Sequence, residues 1–131
     1  MPRINLPTTI TAFTAEGAAV AHQAVSAGTA DTQVDCTPAA GAQCIGITLG
    51  AAADGEQVDV ILAGPCLAIA AGVIPRSSPV EIDGVTGRVV AFVPASGAGT
   101  AAVNLVGYAL EAAAGAGEVI SINLQPGFAA K

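Results

Sequence analysis

A stretch near the middle of the chain returns near its end, and this restricts the fold more than any single motif does. Ile45-Gly46-Ile47-Thr48-Leu49, Ala51-Ala52-Ala53-Asp54-Gly55-Glu56 and Val58-Asp59-Val60-Ile61-Leu62 are followed by Gly64-Pro65. The same order recurs as Val106-Gly107-Tyr108-Ala109-Leu110, Ala112-Ala113-Ala114, Gly117-Glu118 and Ile120-Ser121-Ile122-Asn123-Leu124, followed by Pro126-Gly127. The offset is 61 residues and becomes 62 after one insertion. Each copy is an apolar run containing a glycine, a small-residue turn closed by Gly-Glu, and a run whose large apolar residues fall on alternate positions. That pattern predicts a strand-turn-strand unit, made twice, at 44–65 and 105–127.

The remainder is punctuated in the same way. Val20 to Val25 and Gln33 to Thr37 read as strands, as do Cys66 to Ala70, Val80 to Asp83 and Arg88 to Val93, with turn residues between them. Ile74 to Pro79 reads as a loop or one helical turn. The tracts Ala51–Ala53 and Ala112–Ala114 are too short to nucleate a helix and read as turns. Short strands with regular turn signals predict an all-β fold, a compact sandwich or barrel of mostly antiparallel strands. Residues 1–12 carry Pro2, Pro7, Arg3 and a run of threonines, and read as an extended arm ahead of a single β domain over 13–131. Turn glycines are expected at Gly46, Gly55, Gly87, Gly107 and Gly117.

Mean hydropathy is +0.66, and 53% of the residues are hydrophobic. Much of this is alanine, and Gly, Pro or polar residues interrupt every apolar stretch before about 18 residues, so no transmembrane span is expected. The N-terminus lacks the pattern of a secretory signal, which makes synthesis in a cytoplasm the expectation. With Phe13, Phe92, Phe128 and Tyr108 as the aromatics and no tryptophan, the core is expected to be thin and to gain from subunit packing. A net charge of −6 with four scattered cations argues against direct nucleic-acid binding, since phosphate backbones are held by clustered positive charge.

Chemistry is sparse. Cys36, Cys44 and Cys66 follow no paired-ligand spacing and His22 is the single histidine, so no metal site is expected and the thiols read as small buried side chains. Gly97-Ala98-Gly99 with Ala102 imitates a dinucleotide fingerprint but lacks its helix and second parallel strand, so no cofactor is expected. His22 with Ser26 or Ser77 and Asp31 or Asp35 makes no recognisable triad, and there is no nucleophile elbow. Asp54 with Glu56 and Glu81 with Asp83 read as solvated charge. No enzymatic activity is expected.

One further resemblance rests on order and spacing together. Gly46-Ile47-Thr48-Leu49 with Ala51 to Val60, then Pro75-Arg76-Ser77-Ser78-Pro79-Val80 before Asp83-Gly84 and Gly87-Arg88-Val89-Val90-Ala91, then Val106 to Glu111 with Gly117-Glu118-Val119-Ile120, resemble the capsid cement, or head decoration, family of tailed bacteriophages. The resemblance covers about residues 17–127. It implies β-rich subunits, commonly trimers, that sit on the outside of an expanded shell in the virion and clamp neighbouring major capsid protein subunits. Family members often carry a glycine where Arg76-Ser77-Ser78 stands, and the cysteines belong to no family pattern. The expected partners are the major capsid protein and other copies of this chain, with no membrane or nucleic acid. Contacts are expected from the arm, at Pro2, Arg3, Ile4, Leu6, Pro7 and Ile10. The alternatives are another β-rich virion part, such as a tail or fibre adaptor, or a ligand module with a pocket lined by Phe92, Tyr108 and Ile122.

Overall fold

A computed structural model describes residues 9–84, 86–92 and 102–130 of the chain. Among these residues there is no helix, and nine strands form one continuous hydrogen-bonded system. They are β1 (Thr9–Glu16), β2 (Ala24–Ala27), β3 (Gln33–Asp35), β4 (Gly46–Thr48), β5 (Gln57–Ile69), β6 (Pro79–Ile82), β7 (Val89–Ala91), β8 (Ala102–Ala109) and β9 (Val119–Ala130). The fold is all-β, and it is a barrel rather than a sandwich. Strands β1, β3, β2, β4 and β5 pair in that order, and β1 pairs back onto β5 to close the ring.

A second ring follows from the first without a break. Beyond Ala63, β5 leaves β1 and β4 and pairs with β9 from Gly64↔Leu124 to Ile69↔Val119. The order then runs β9, β8, β6, β7, and a single parallel bridge, Ala70↔Val89, returns β7 to the end of β5. Gly64 has φ +98°, a conformation that glycine adopts without penalty, where β5 passes from one barrel to the other. Pro65, which has no N–H for a ladder, sits beside it at the change of partners.

The two barrels repeat the same pairings. The parallel pair Ala15↔Val34 corresponds to Ala70↔Val89, and Ala27↔Val34 to Ile82↔Val89, all displaced by 55 residues. Val25↔Gly46 corresponds to Val80↔Gly107, Ile47↔Ile61 to Tyr108↔Asn123, and Phe13↔Val58 to Ala68↔Ile120. The isolated bridges Ala19↔Ala52 and Ile74↔Ala113 match as well. So do the left-handed residues of the turns, His22 with Ser77 (φ 65° and 69°) and Gly55 with Gly117 (φ 84° and 87°). The first strand of the second barrel is therefore the C-terminal half of β5, and β5 serves both.

Alternation fixes which side chains turn inward. In β5 Val58 and Val60 are buried while Gln57 and Asp59 are exposed, and in β6 Val80 and Ile82 are buried between half-buried neighbours. One core cluster, with Ala15, Val25, Val34, Cys36, Val58 and Val60 in it, fills the first barrel. A larger one fills the second barrel and takes in Ala24, Cys44, Ile47 and Ile61 from the first.

Several expectations change against this framework. Thr9–Ala12 belong to the barrel as the start of β1, paired with β5, and are not part of a free arm; β-branched Thr9, Ile10 and Thr11 suit that pleated edge. Residues 1–8 lie outside the described residues. Val20 to Gln23 are not strand, because the chain turns there with His22 left-handed, and β2 begins at Ala24. Ala52 and Ala113 are bridge partners rather than turn residues. Gly46 and Gly107 are strand glycines, not turn glycines: a Cβ at Gly46 would collide with the Ile61 carbonyl oxygen, and one at Gly107 with that of Asn123.

Candidate interaction surface

The residues best suited to chemistry are used by the fold instead. Asp54 accepts a hydrogen bond from the Gly17 N–H (2.9 Å), and Glu56 accepts one from Ala53 (2.8 Å). Glu118 repeats the Glu56 bond by accepting from Ala114 (2.7 Å), and Glu16 accepts from both the N–H and the hydroxyl of Thr29. These carboxylates satisfy backbone donors that the turns would otherwise leave open. Asp35 accepts from Thr37 and takes no part with His22. His22 Nδ1 is buried without a hydrogen-bond partner, so Ser26, Ser77, Asp31 and Asp35 do not engage it there, and burial lowers the pKa of the ring. Among the described residues no three His, Cys, Asp or Glu side chains gather as a metal site would need.

The three cysteines are buried and free. Loss of solvation pushes the Cys44 and Cys66 thiols up to about 12, and raises Cys36 with added repulsion from Asp35. None is a poised nucleophile. Ala102, which would occupy the third glycine position of the dinucleotide fingerprint, opens a strand rather than lying in a helix; Gly97 and Gly99 lie outside the described residues. Phe92, Tyr108 and Ile122 do not line one pocket. Tyr108 pairs with Asn123 and Ala109 with Ile122, so Tyr108 and Ile122 point to opposite sides of the sheet, and Ile122 is fully buried.

The two barrels are locked together where the His22 turn enters the second one. The Ile69 N–H donates to the His22 carbonyl, and Ala24 N–H donates to the Gly87 carbonyl (2.8 Å). The buried Gln23 accepts from Val20 N–H, donates its side-chain amide to the Cys36 carbonyl, and donates its backbone N–H to the Thr48 hydroxyl oxygen (3.0 Å). Gly87, left-handed at φ 65°, lies against the Gln23 side chain, where a Cβ would not fit.

What remains is surface. An open groove of about 440 Å³ lies between Leu49–Ala51 and Gln57–Asp59, and a second of about 280 Å³ between Val20, Gln23, Ile69 and Arg88. Both are shallow and open to solvent, unlike the enclosed apolar cleft of a small-molecule site. Among the described residues the large apolar side chains that stand out from the surface are Ile10, Val20, Val73, Tyr108 and Leu110. Of the residues expected to make contacts, Ile10 is on β1 and 46% exposed, while Pro2, Arg3, Ile4, Leu6 and Pro7 lie outside the described residues. Gly55 and Gly117 are left-handed turn glycines, as expected. Sequence reasoning missed Gln23, whose role is invisible until the turn and β3 meet, and missed the outward rows of the two barrels.

Comparison with known proteins places the fold. No family model matches the chain, and no curated protein matches it. Among solved structures it is similar to the head fiber gp8.5 N base of bacteriophage phi29, with a TM-score of 0.66 and 17% sequence identity, over 89% of this chain and 93% of that one. At this identity the likeness is one of fold, and it extends through both barrels.

Proposed function

We propose that this protein is a structural component of a phage head that binds the outer surface of the expanded capsid as a homotrimer and holds neighbouring major capsid protein subunits together. The observation that carries the reading is the near full-length agreement in fold with the base of a phage head fiber. The physical character of the chain agrees with it. Asp54, Glu56, Glu118 and Glu16 satisfy backbone N–H groups of the turns, the thiols are buried, and the grooves are shallow, which suits a part that works by contact. A repeated lattice rewards modest contacts made many times over, because a trimer that engages several sites at once gains affinity through effective concentration. The residues 1–8 ahead of β1 serve in this reading as a reaching element toward the shell or a neighbouring subunit.

Co-sedimentation of the purified protein with empty, expanded shells of its cognate capsid protein tests this, with unexpanded shells as control. Saturable binding to expanded shells alone is the expected result, and no binding to either removes the capsid function. The likeness to a head fiber base favours a second reading, in which the chain is the foot of a longer fibre. A foot binds shells without protecting them from heat, whereas a cement protein raises the temperature at which they disrupt.

A further inference from the structure

The pseudo-equivalence of the barrels exposes half an interface at each end of the molecule. In the first barrel Ala24, Ile47 and Ile61 form a row across β2, β4 and β5, in register and turned away from the interior residues Val25 and Val60. All three have 0% exposure and share a packed cluster with Val80, Ile82, Val106 and Leu124, so the second barrel covers the outer row of the first. The equivalent row on the second barrel, across β6, β8 and β9, is Pro79, Tyr108 and Asn123 in the same register. Among the described residues nothing comparable covers it: Pro79 and Asn123 are half-buried, Tyr108 is 44% exposed, and Leu110, the equivalent of the packed Leu49, is 40% exposed.

The receiving side shows the converse. Cys66, Ala68, Ile82 and Leu124 are sealed in the second barrel, but their equivalents in the first, Thr11, Phe13, Ala27 and Leu62, are exposed or half-buried. A stack of repeats buries each face against the next and leaves its two end faces open. Here one such contact is made inside the chain, and its two missing halves lie at opposite ends.

We propose that the Pro79, Tyr108, Leu110 and Asn123 face of one copy docks onto the Thr11, Phe13, Ala27 and Leu62 face of a second copy, continuing between chains the contact that joins the barrels within one. Such a head-to-tail contact is heterologous and generates a ring when its rotation closes, a trimer being one such ring. The end row also differs from the internal one as a separable interface should. Tyr108 and Asn123 replace Ile47 and Ile61, which keeps the face wet when free and leaves a rigid amphipathic ring to anchor it when bound. The inference rests on the self-association in the reading above and not on shell binding.

Light scattering of the full-length chain at increasing concentration, up to about 1 mM, tests it. The expected wild-type mass is a multiple of 12.6 kDa. Tyr108→Glu with Leu110→Glu disables one face, Thr11→Glu with Ala27→Glu the other, and each variant alone is expected to be monomeric. Mixed, they retain one intact face apiece and are expected to give a one-to-one dimer and nothing larger. Circular dichroism checks that the variants are folded, and Tyr108→Ser with Leu110→Ser replaces the first pair should it not fold. A wild-type chain that stays monomeric, an oligomer that survives the Tyr108 and Leu110 changes, or folded variants that do not pair on mixing would each overturn the contact. Shell co-sedimentation is a separate readout, and its failure with the oligomer intact sinks the capsid reading while leaving this contact standing.

Discussion

Gly46 and Gly107 occupy one position of the repeat twice, and both stand where the neighbouring β5 or β9 backbone comes too close for any side chain. Gly55 and Gly117 are also equivalent, but they meet open space, and only their left-handed φ favours glycine. The two kinds of glycine should therefore respond differently. Gly46→Ala and Gly107→Ala force backbone apart and are expected to cost about 3 kcal/mol each, while Gly55→Ala costs about 1 kcal/mol, as read from urea unfolding midpoints. Equal losses at all three would mean that strand approach is not what selects glycine in β4 and β8. The buried thiols make a second residue-scale case. Cys44 and Cys66 ionise near 9.0 when free of the fold and near 12 within it, so the folded state holds its protons more tightly. Their contribution is complete below pH 9 and is lost as pH rises toward 12. Urea midpoints should hold steady up to about pH 9 and then fall, by about 1 kcal/mol per thiol for each pH unit. Cys44→Ala with Cys66→Ala should flatten that alkaline slope, at the expense of a lower plateau.

At the scale of elements, the His22 turn shows how one side chain binds two barrels. Gln23 satisfies the Val20 N–H and the Cys36 carbonyl together, and Gly87 packs against it from the second barrel. Gln23→Ala strands both backbone groups and is expected to cost about 3 kcal/mol, measured by thermal or urea unfolding. A loss under about 0.5 kcal/mol would mean that water replaces the amide there. This turn also marks where sequence reading ran out. The β4–β5 and β8–β9 pairs were legible because Gly46 and Gly107, Leu49 and Leu110, and the Gly-Glu turns keep their order in both copies. The first three strands of each barrel were not, because their correspondence survives only at isolated positions such as Ala15 with Ala70, Val25 with Val80 and Val34 with Val89. Around those positions Phe13 faces Ala68 and Ile74 faces Ala19 in the alignment, so periodicity shows strands without showing a duplication. The double use of β5 hid the rest. Cys66 to Ala70 reads as a strand of its own and Gly64-Pro65 as the end of the first unit, whereas β5 runs on unbroken through both and only changes partners there. The outward rows were illegible for a related reason, since Ile47 and Tyr108 become comparable only once both are known to hold the same register.

For the whole molecule, the decisive fact is that the larger core cluster does not respect the boundary between barrels. Ala24, Cys44, Ile47 and Ile61 belong by pairing to the first barrel and by packing to the second, while β5 runs through both. Unfolding either barrel alone would expose the fully buried Ile47 and Ile61 and break the Ala24–Gly87 and Ile69–His22 hydrogen bonds, so partly folded forms lose apolar burial without gaining a complete barrel's freedom. The chain should therefore unfold in a single transition, despite its two-ring architecture. Ile61→Ala is the sharpest probe, because that side chain lies in one barrel's strand and the other barrel's core. It is expected to lower stability by about 3 kcal/mol. In hydrogen exchange it should speed the slowest amides of both barrels by the same factor, with Val60 and Ile122 as paired reporters. If Ile122 lost protection while Val60 kept it, the barrels would be separate cooperative units joined by a strand, and the shared cluster would be a contact between domains rather than a common core.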